Sequence, residues 1–322
     1  MHKTIQRQTL VPAGMTGLRL DQAAVQLMQD FSREQIKAWI EVAELVCNGV
    51  SAKASQRVNE GDRIELITTL ADRTLDIPED LPLNIVYQDE QILVIDKPAG
   101  WVVHPGAGNR QGTLLNALLH HDPALAELPR AGIVHRLDKD TSGLLVVART
   151  AKAQASLIDQ LKDRSLRRCY QALVYGITPV EGEVDAPVGR HPHDRVRMGV
   201  VASGKPALTR YHRLASYSGC SHLQLRLATG RTHQIRVHMT HLGFPLLGDP
   251  VYRQRKGPAF PLALQRVIGL LGRQALHACE LGLIHPDSGE YMSWQSDLPQ
   301  DMQDLLRALQ TESWLSFPDQ TS

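Results

Sequence analysis

The chain has 322 residues, of which 43% are hydrophobic and 21% charged, and its formal net charge is +1. This composition is typical of a folded globular protein and excludes a disordered, collagen-like or coiled-coil chain. No apolar run approaches the ~18 residues that cross a bilayer, and the N-terminal sequence MHKTIQRQTL lacks the apolar stretch of a secretion signal. These two observations predict a cytoplasmic protein. At roughly 100 to 200 residues per domain, we expect two domains, or one large domain with an appendage.

A small helical unit is predicted over residues 14–70, after an N-terminal tail of residues 1–13. Apolar residues recur at helical spacing from Leu20 to Met28, and Ser32 with Gln35 forms a capping box before a second helix. An Asn-Gly turn and a Glu-Gly-Asp turn then bracket short alternating strands. Two short helices followed by a hairpin therefore make up the predicted first domain.

The sequence RLDQAAVQLMQDFSREQIKAWI in this unit, followed by VCNG and NEGDRIEL, resembles the S4 family of small RNA-binding modules. The resemblance implies that the unit has the S4-like (αL) fold and contacts RNA. Its candidate RNA-binding residues are Arg19, Ser32, Arg33 and Lys37. Asp21 ends an Arg-Leu-Asp sequence here, and we expect this carboxylate to serve local structure.

Residues 71–82 (ADRTLDIPEDLP) are acidic, contain proline and lack periodicity, which predicts a linker. The second domain is predicted over residues 83–310, followed by a C-terminal tail of residues 311–322. Strand-like runs and helical stretches are interspersed there without a regular βαβ period, which predicts an α+β fold on a mixed, largely antiparallel sheet. The predicted strands and helices cover residues 85–87, 92–95, 113–121, 144–147, 151–161, 172–175, 223–227 and 300–309.

Positive charge is concentrated between Ala186 and Gly248, a segment with nine basic residues, eight of them arginines, and one acid. The segment has a formal charge of +8, whereas the rest of the chain sums to −7. Because arginine suits bidentate phosphate contacts and stacking on bases, the segment is either an ordinary solvated basic face or a nucleic-acid contact. The candidate RNA-binding residues in it are Arg190, Arg195, Arg197, Arg231 and His233.

Sequence patterns for other kinds of site are incomplete. Residues 199–205 match the GxxxxGK start of a phosphate-binding loop, but Pro206 follows and has neither a hydroxyl group for magnesium nor a backbone N–H. The four cysteines are far apart in sequence, and the His191/His193 and His233/His238 spacings match no common zinc site. We therefore predict no bound metal and four buried, reduced thiols.

The sequence AGIVHRLDKDTSGLLVVART, residues 131–150, places a polar loop between two strand-like apolar runs. Such a loop holds its side chains rigidly, which suits a catalytic or binding site. Asp138 and Asp140 are its two carboxylates. By their chemistry alone, either one could instead be a turn or cap residue that binds neighbouring backbone amides.

Within this loop, HRLDKDTSGL resembles the catalytic motif of the pseudouridine synthases of the ribosomal large-subunit type. Three further motifs of that family lie in the expected order: VIDKPAGWVVHPGAG, RRCYQALVYG and LATGRTHQIRVHMTHLGFPLLGDPVY. With the S4-like start, the resemblance covers about residues 14 to 310. It implies an enzyme that isomerises uridines already present in RNA to pseudouridine and needs no cofactor.

The resemblance implies roles for four residues. Asp138 corresponds to the catalytic carboxylate, and Arg236 to the arginine that pairs with it and keeps it ionised. Arg136 corresponds to the side chain that fills the place of the extruded uridine, and Tyr170 to the aromatic ring that stacks on the flipped uracil. Whether Asp138 adds to C1′, adds to the base or removes a sugar proton stays open.

The implied partner is large-subunit (23S) ribosomal RNA or the assembling subunit, with no membrane and no obligate protein partner. The forms VVHPGAG, GRHP and GKPA are most similar to a branch of the family that implies uridines of the helix 69 stem-loop. Three alternatives stay open: other 23S or transfer RNA uridines, a catalytically silent RNA-binding protein, and a glycoside hydrolase that uses Asp138 with Asp140.

Overall fold

The computed structural model describes residues 3–28, 31, 33–70, 77–106, 109–192, 194, 197–217, 219–253 and 260–315. The chain divides into two units, Met1–Leu75 and Asp76–Ser322. Among the described helices, none is both long and apolar enough to cross a membrane. The four cysteines are buried and free.

The first unit packs two short helices on a three-stranded antiparallel sheet with the strand order β1-β3-β2. Its core contains the fully buried side chains of Leu20, Ile36, Leu45, Ile64 and Leu66. The helices thus cover one face of the sheet with the residues whose periodicity predicted them. The elements are β1 (Lys3–Leu10), α1 (Leu20–Leu27), α2 (Arg33–Glu41), β2 (Leu45–Cys47) and β3 (Arg63–Leu70).

The N-terminal tail predicted for residues 1–13 is wrong for residues 3–10, which form β1. This strand pairs with β3 over eight residues, from Lys3 opposite Leu70 to Leu10 opposite Arg63. The sequence of β1, KTIQRQTL, has only two apolar residues, so alternating hydrophobicity could not identify it. Backbone pairing at the sheet edge, rather than side-chain burial, accounts for the strand.

The second unit contains a nine-stranded sheet with the strand order β4-β5-β6-β13-β7-β12-β11-β8, and β14 pairs with β13. Among the strand pairs that the structure describes in this sheet, only β6–β13 is parallel, which confirms the predicted α+β fold with a mixed, largely antiparallel sheet. Strands β9 and β10 form a separate antiparallel pair. The strands are β4 (Ile85–Gln88), β5 (Ile92–Lys97), β6 (Ser142–Ala148), β7 (Arg167–Tyr175), β8 (Glu181–Asp185), β9 (Val188–Arg190), β10 (Met198–Val200), β11 (Leu208–Tyr217), β12 (Cys220–Leu227), β13 (Leu276–Ile284) and β14 (Tyr291–Gln295). The helices are α3 (Leu114–His121), α4 (Ala151–Lys162), α5 (Gln234–His241), α6 (Leu262–Leu271) and α7 (Gln300–Leu315).

Strand β7 and helix α5 lie in the same hydrophobic layer. Tyr170 and Ala172 face the same side of β7, because side chains alternate along a strand. Both pack in one buried cluster with Ile235 and Met239 of α5. This cluster also contains Leu137, the residue before Asp138. The core therefore fixes three elements relative to one another: the Asp138 loop, β7 and α5.

The predicted boundaries of the second unit differ from the structure at both ends. The backbone of Glu79, in the predicted linker, donates a hydrogen bond to the Asn116 carbonyl oxygen, and the Glu79 carboxylate accepts one from Gly112 N at 3.0 Å. Residues 77–82 therefore include a segment fastened to the start of α3. At the other end, α7 continues to Leu315, beyond the tail boundary predicted at residue 311. Polar residues after Leu309 interrupt the apolar spacing on which that boundary was based.

Three buried histidines hold defined neutral forms in the second unit. His238 and His277 each place Nε2 on a backbone carbonyl oxygen, at 2.9 and 3.2 Å, and Nδ1 on a hydroxyl group, at 2.9 and 3.0 Å. Because the carbonyl only accepts, Nε2 carries the proton in both rings. His222 bonds to Gln171 Oε1 at 2.9 Å. Burial lowers the pKa of all three, that of His222 from 6.5 to about 4.

We expect the free energy of unfolding to fall as the pH is lowered from 7 to 5. Because burial lowers the pKa of these histidines, the unfolded chain takes up more protons on them in this range than the folded chain does, and His222 alone should cost about 1 kcal/mol between pH 6.5 and 5.5. Urea unfolding at each pH measures the slope. His222→Gln should lose stability less steeply, and an unchanged slope in this variant would contradict the assignment.

Candidate active site

Side chains from three separate parts of the second unit meet at Arg236. Its Nη1 atom donates a hydrogen bond to Asp138 Oδ2 at 3.1 Å, across 98 positions of the sequence. Its Nε and Nη2 atoms donate to Asp249 Oδ2 and Oδ1 at 2.7 and 2.9 Å. The guanidinium group therefore joins α5 to the polar loop before β6 and to the loop after α5.

The two carboxylates on Arg236 differ in their access to solvent. The side chain of Asp249 is fully buried and also accepts hydrogen bonds from the backbone of Val251 and Tyr252, both at 2.9 Å. Asp138 keeps 18% of its side chain exposed. Burial alone would raise the pKa of Asp249, but the hydrogen bonds and charge of Arg236 and the two amides hold it below the usual 3.8. Asp249 is thus a fixed counterion, and Asp138 is the carboxylate that a substrate can reach.

Arg236 itself remains cationic in this setting. Burial disfavours its charged form, but the hydrogen bonds and charges of Asp249 and Asp138 outweigh burial and raise its pKa above the ordinary value. The guanidinium carbon lies 5.0 Å from the ring centroid of Tyr252, a cation–π distance. A permanently charged arginine is thereby held beside Asp138.

Tyr252 connects this centre to strand β10. Its hydroxyl oxygen accepts a hydrogen bond from Met198 N of β10 at 2.9 Å and lies 2.9 Å from His233 Nδ1. Burial lowers the pKa of His233, and the nearby Asp138 carboxylate partly opposes this effect. His233 also has a left-handed backbone, with φ of 55°, at the start of α5.

The polar loop that carries Asp138 is held by buried side chains from other segments. Lys97, fully buried at the end of β5, donates to the carbonyl oxygens of Pro98, Trp101 and Lys139 at 2.8 to 3.0 Å. Arg273 donates to the Asp140 carbonyl oxygen at 3.2 Å. These contacts fix the backbone on the C-terminal side of Asp138.

Lys97 is expected to matter for both stability and turnover. Burial lowers the pKa of Lys97 to about 7, and the Asp140 and Asp138 carboxylates partly offset this effect. Lys97→Met preserves the volume but leaves three carbonyl oxygens without their donor, so the free energy of unfolding should fall by about 2 to 5 kcal/mol. Turnover should slow because the loop loses the hydrogen bond that Lys97 donates to the Lys139 carbonyl oxygen.

Urea unfolding and single-turnover kinetics check this expectation. Lys152→Met is the matched control, because Lys152 makes an exposed ion pair with Asp287 at 2.8 Å. The control should leave both quantities unchanged. Wild-type stability in Lys97→Met would mean that the lysine does not hold the loop.

The other two predicted active-site residues, Tyr170 and Arg136, differ in their exposure to solvent. Tyr170 is only 5% exposed, and burial raises its pKa to about 12, with the Asp138 carboxylate adding to the effect and Arg168 opposing it. Its hydroxyl group is therefore protonated. Only a small part of the side chain is accessible to a stacking nucleobase. Arg136, two residues before Asp138, is exposed.

Three predicted RNA-binding residues of the first unit converge on one buried carboxylate. Asp21 is fully buried and accepts hydrogen bonds from Arg19 Nε at 3.0 Å and Arg33 Nη2 at 2.9 Å, and Lys37 Nζ lies 3.9 Å away. The three cations keep 39%, 50% and 44% of their side chains exposed. Three cations against one carboxylate leave a positive surface. Ser32 lies outside the described residues.

The predicted RNA-binding residues of the second unit differ from one another in their contacts. Arg197 lies with its guanidinium carbon 5.2 Å from the Tyr252 ring centroid, and Arg231 Nε donates to a backbone carbonyl oxygen at 3.1 Å. Arg190 ends β9 with an exposed side chain. Arg195 lies outside the described residues.

Four residues that shape this site were not predicted from the sequence: Lys97, Asp249, Tyr252 and Arg273. Lys97 lies in the DKPAG sequence, and Asp249 and Tyr252 lie in the GDPVY sequence, both of which contributed to the family resemblance, whereas Arg273 lies in neither. The Asp-Pro pair of GDPVY reads locally as a turn. Only the long-range contact with Arg236 reveals Asp249 as a counterion.

Comparison with known proteins gives consistent matches. A family model described as RNA pseudouridylate synthase matches residues 91–241. The chain is 49% identical over 306 residues to "Ribosomal large subunit pseudouridine synthase D" of Pasteurella multocida, with 94% of each chain covered. A protein of the same name from Escherichia coli K12 is 45% identical over 319 residues, with 97% of each covered. Among solved structures, Human RNA Pseudouridylate Synthase Domain Containing 4 matches with a TM-score of 0.57 and 25% identity, covering 70% of this chain and 93% of the other.

Proposed function

The chain belongs to the RNA pseudouridylate synthase family, and we propose that it isomerises uridines of large-subunit (23S) ribosomal RNA with Asp138 as its single catalytic carboxylate. The substrate is supported by the relatives, which are named as ribosomal large subunit pseudouridine synthases. The finer target proposed from the sequence is the helix 69 stem-loop. The substrate is free 23S RNA or the assembling subunit, which places the enzyme in the cytoplasm.

One observation carries the catalytic proposal: two carboxylates bind Arg236, but only Asp138 is open to a substrate. In the reaction the C1′–N1 bond breaks, the uracil turns, and C5 bonds to C1′, after which C5 loses a proton and N1 gains one. No atom is added overall. A hydrolytic glycosidase needs two accessible carboxylates, whereas this isomerisation needs one.

A uridine stacked in RNA must leave the stack before Asp138 can reach it, at a cost of a few kcal/mol. In this proposal the side chain of Arg136 fills the place of the extruded base. Arg136 is exposed and lies two residues before Asp138 in the sequence. Tyr170 is assigned to the flipped uracil, against which the open part of its ring would lie. Stacking of this kind contributes about 1 to 3 kcal/mol per base.

The first unit is proposed to bind RNA as an S4-like module through Arg19, Arg33 and Lys37, which surround Asp21. The basic residues of the second unit would contact further phosphates. Binding should therefore weaken steeply with salt, by roughly 10-fold or more between 50 and 200 mM for a few phosphate contacts. A salt titration by filter binding or fluorescence anisotropy checks this, and a flat dependence would contradict phosphate binding.

Mapping pseudouridine in ribosomal RNA from cells that lack this protein tests the proposed function. We expect specific 23S positions, with helix 69 first among them, to carry uridine in the mutant and pseudouridine after re-expression of the wild-type protein. Re-expressed Asp138→Asn should not restore them. An unchanged ribosomal map with missing pseudouridines in transfer RNA would favour the alternative substrate, and an unchanged map in all RNA would favour the catalytically silent protein.

A further inference from the structure

Arg168, near the start of β7, is a buried cation without a matching anion. It is 7% exposed, and its Nε atom has no hydrogen-bond partner among the described residues. No carboxylate of the described chain lies within ion-pair distance of it, whereas the buried Arg236 and Arg273 each bind an aspartate through two nitrogen atoms. An uncompensated buried charge destabilises the folded protein strongly, and a methionine would fill the same space without that cost.

The position of Arg168 relates it to the active site. Because side chains alternate along a strand, Arg168 and Tyr170 face the same side of the sheet. A Cβ atom on Gly230, in the loop between β12 and α5, would lie 2.7 Å from Arg168 Nη1, so the guanidinium group packs directly on this glycine. The loop continues through His233 into the helix that carries Arg236.

The electric field of Arg168 reaches the catalytic loop as well. The pKa of His135, three residues before Asp138, is lowered mainly by burial and further by the positive charge of Arg168. The same charge opposes the increase that burial causes in the pKa of Tyr170. Burial in turn lowers the pKa of Arg168 itself. The guanidinium group therefore lies among three elements that border the site: the start of the Asp138 loop, the Tyr170 strand and the Gly230 loop.

A small acceptor fits this location better than a backbone phosphate. A phosphodiester carries its charge on the outside of the RNA, whereas Arg168 is nine-tenths covered beside the ring assigned to the uracil. When the C1′–N1 bond breaks, the bonding electron pair stays on the uracil and spreads over N1 and the carbonyl oxygens O2 and O4. A fixed, dry cation stabilises such developing charge more than water does.

We propose that Arg168 is a further catalytic residue, whose guanidinium group donates hydrogen bonds to a carbonyl oxygen of the flipped uracil and stabilises the negative charge of the detached base. Arg168 keeps its protons throughout. The electron pair returns to the new bond between C5 and C1′, C5 loses its proton, and N1 gains one. This role rests on the proposed isomerisation at Asp138.

Single-turnover kinetics and RNA affinity, measured on a 23S fragment, test the role. Arg168→Met should slow isomerisation about 10²-fold, with the Kd for RNA within about twofold of wild type, and Arg168→Lys should recover part of the rate. Arg167→Met is the matched control. Arg167 is the exposed neighbour on the opposite face of β7 and lies 5.4 Å from the Tyr291 ring centroid, so its loss removes the same charge without slowing the reaction.

Gly230→Ala tests the geometry without removing a charge. The new methyl group displaces the guanidinium group, and the backbone at Gly230 does not have a positive φ, so the variant should fold normally. We expect it to slow isomerisation in the wild-type background and to add no further loss to Arg168→Met. Additive losses would contradict the proposed geometry, because they would mean that Gly230 acts independently of Arg168.

An electron-poor base separates charge stabilisation from a structural role. With 5-fluorouridine at the target position, the detached base bears negative charge more easily, so Arg168→Met should reduce the consumption of this nucleotide several-fold less than that of uridine. Equal losses for the two bases would overturn the proposal, as would weaker RNA binding at an unchanged rate, which indicates a phosphate contact. Wild-type protein that forms no pseudouridine would instead refute the proposed function.

Discussion

Asp138→Asn is expected to reduce uridine isomerisation by roughly 10³-fold or more, because an amide can neither attack the substrate nor abstract its proton. The change preserves the size of the side chain, and the amide oxygen can still accept the hydrogen bond that Arg236 donates at 3.1 Å. RNA affinity should therefore remain within about twofold of wild type, since the basic contacts are untouched.

Single-turnover pseudouridine formation and equilibrium binding measure the two effects separately. Asp140→Asn is the matched control, because Asp140 is the second carboxylate of the same loop and its backbone carbonyl, not its side chain, binds Arg273. This control should retain activity if one carboxylate is sufficient. Loss of activity in both variants would favour a two-carboxylate mechanism, and retained activity in Asp138→Asn would refute the catalytic assignment.

Asp249→Asn is expected to have the largest effect on stability. It leaves Arg236 buried with a neutral amide in place of the carboxylate that accepts two of its hydrogen bonds, at 2.7 and 2.9 Å. Removing one partner of a buried ion pair costs about 3 to 5 kcal/mol. Because Arg236 also loses the group that orients it towards Asp138, turnover should fall by about 10²-fold.

Urea unfolding and turnover, measured on the same protein samples, check both effects. Glu183→Gln is a suitable control, because it breaks an exposed pair with Arg210 at 3.2 Å and should change stability by less than about 1 kcal/mol. In the double variant Arg236→Met with Asp249→Asn, the combined loss of stability should be smaller than the sum of the single losses. Additive losses would show that the two residues do not act as a pair.

Although α6 and β13 were not predicted, periodicity and apolar runs in the sequence predicted part of the fold. Helix α1, with residues at helical spacing on a buried face, and the apolar strand β6 are examples. Strand β1 was missed because its pairing depends on the backbone, and β11 because its apolar residues alternate with arginines and histidines within the basic segment. Tertiary pairing, which local periodicity does not report, decides such strands.

The active site was predictable only in part from the residues themselves. Local chemistry left Asp138 and Asp140 equivalent, and family resemblance distinguished them. The structure adds a physical difference, since Asp138 contacts Arg236 from a position 98 residues away. The roles of Asp249 and Lys97 could not be assigned from the sequence, because they depend on burial and on partners in other segments. Asp21, in the other Arg-Leu-Asp sequence, proves to be a fully buried partner of two arginines.

The most direct measurement is the fate of C5-tritiated uridine in 23S RNA incubated with the purified protein. Bond formation between C5 and C1′ displaces the hydrogen at C5, so one tritium atom should be released for each pseudouridine formed. The RNA should gain no abasic site, and the modified nucleoside should have the mass of uridine. Release of free uracil, or equal tritium release by Asp138→Asn, would contradict an isomerisation that depends on one carboxylate.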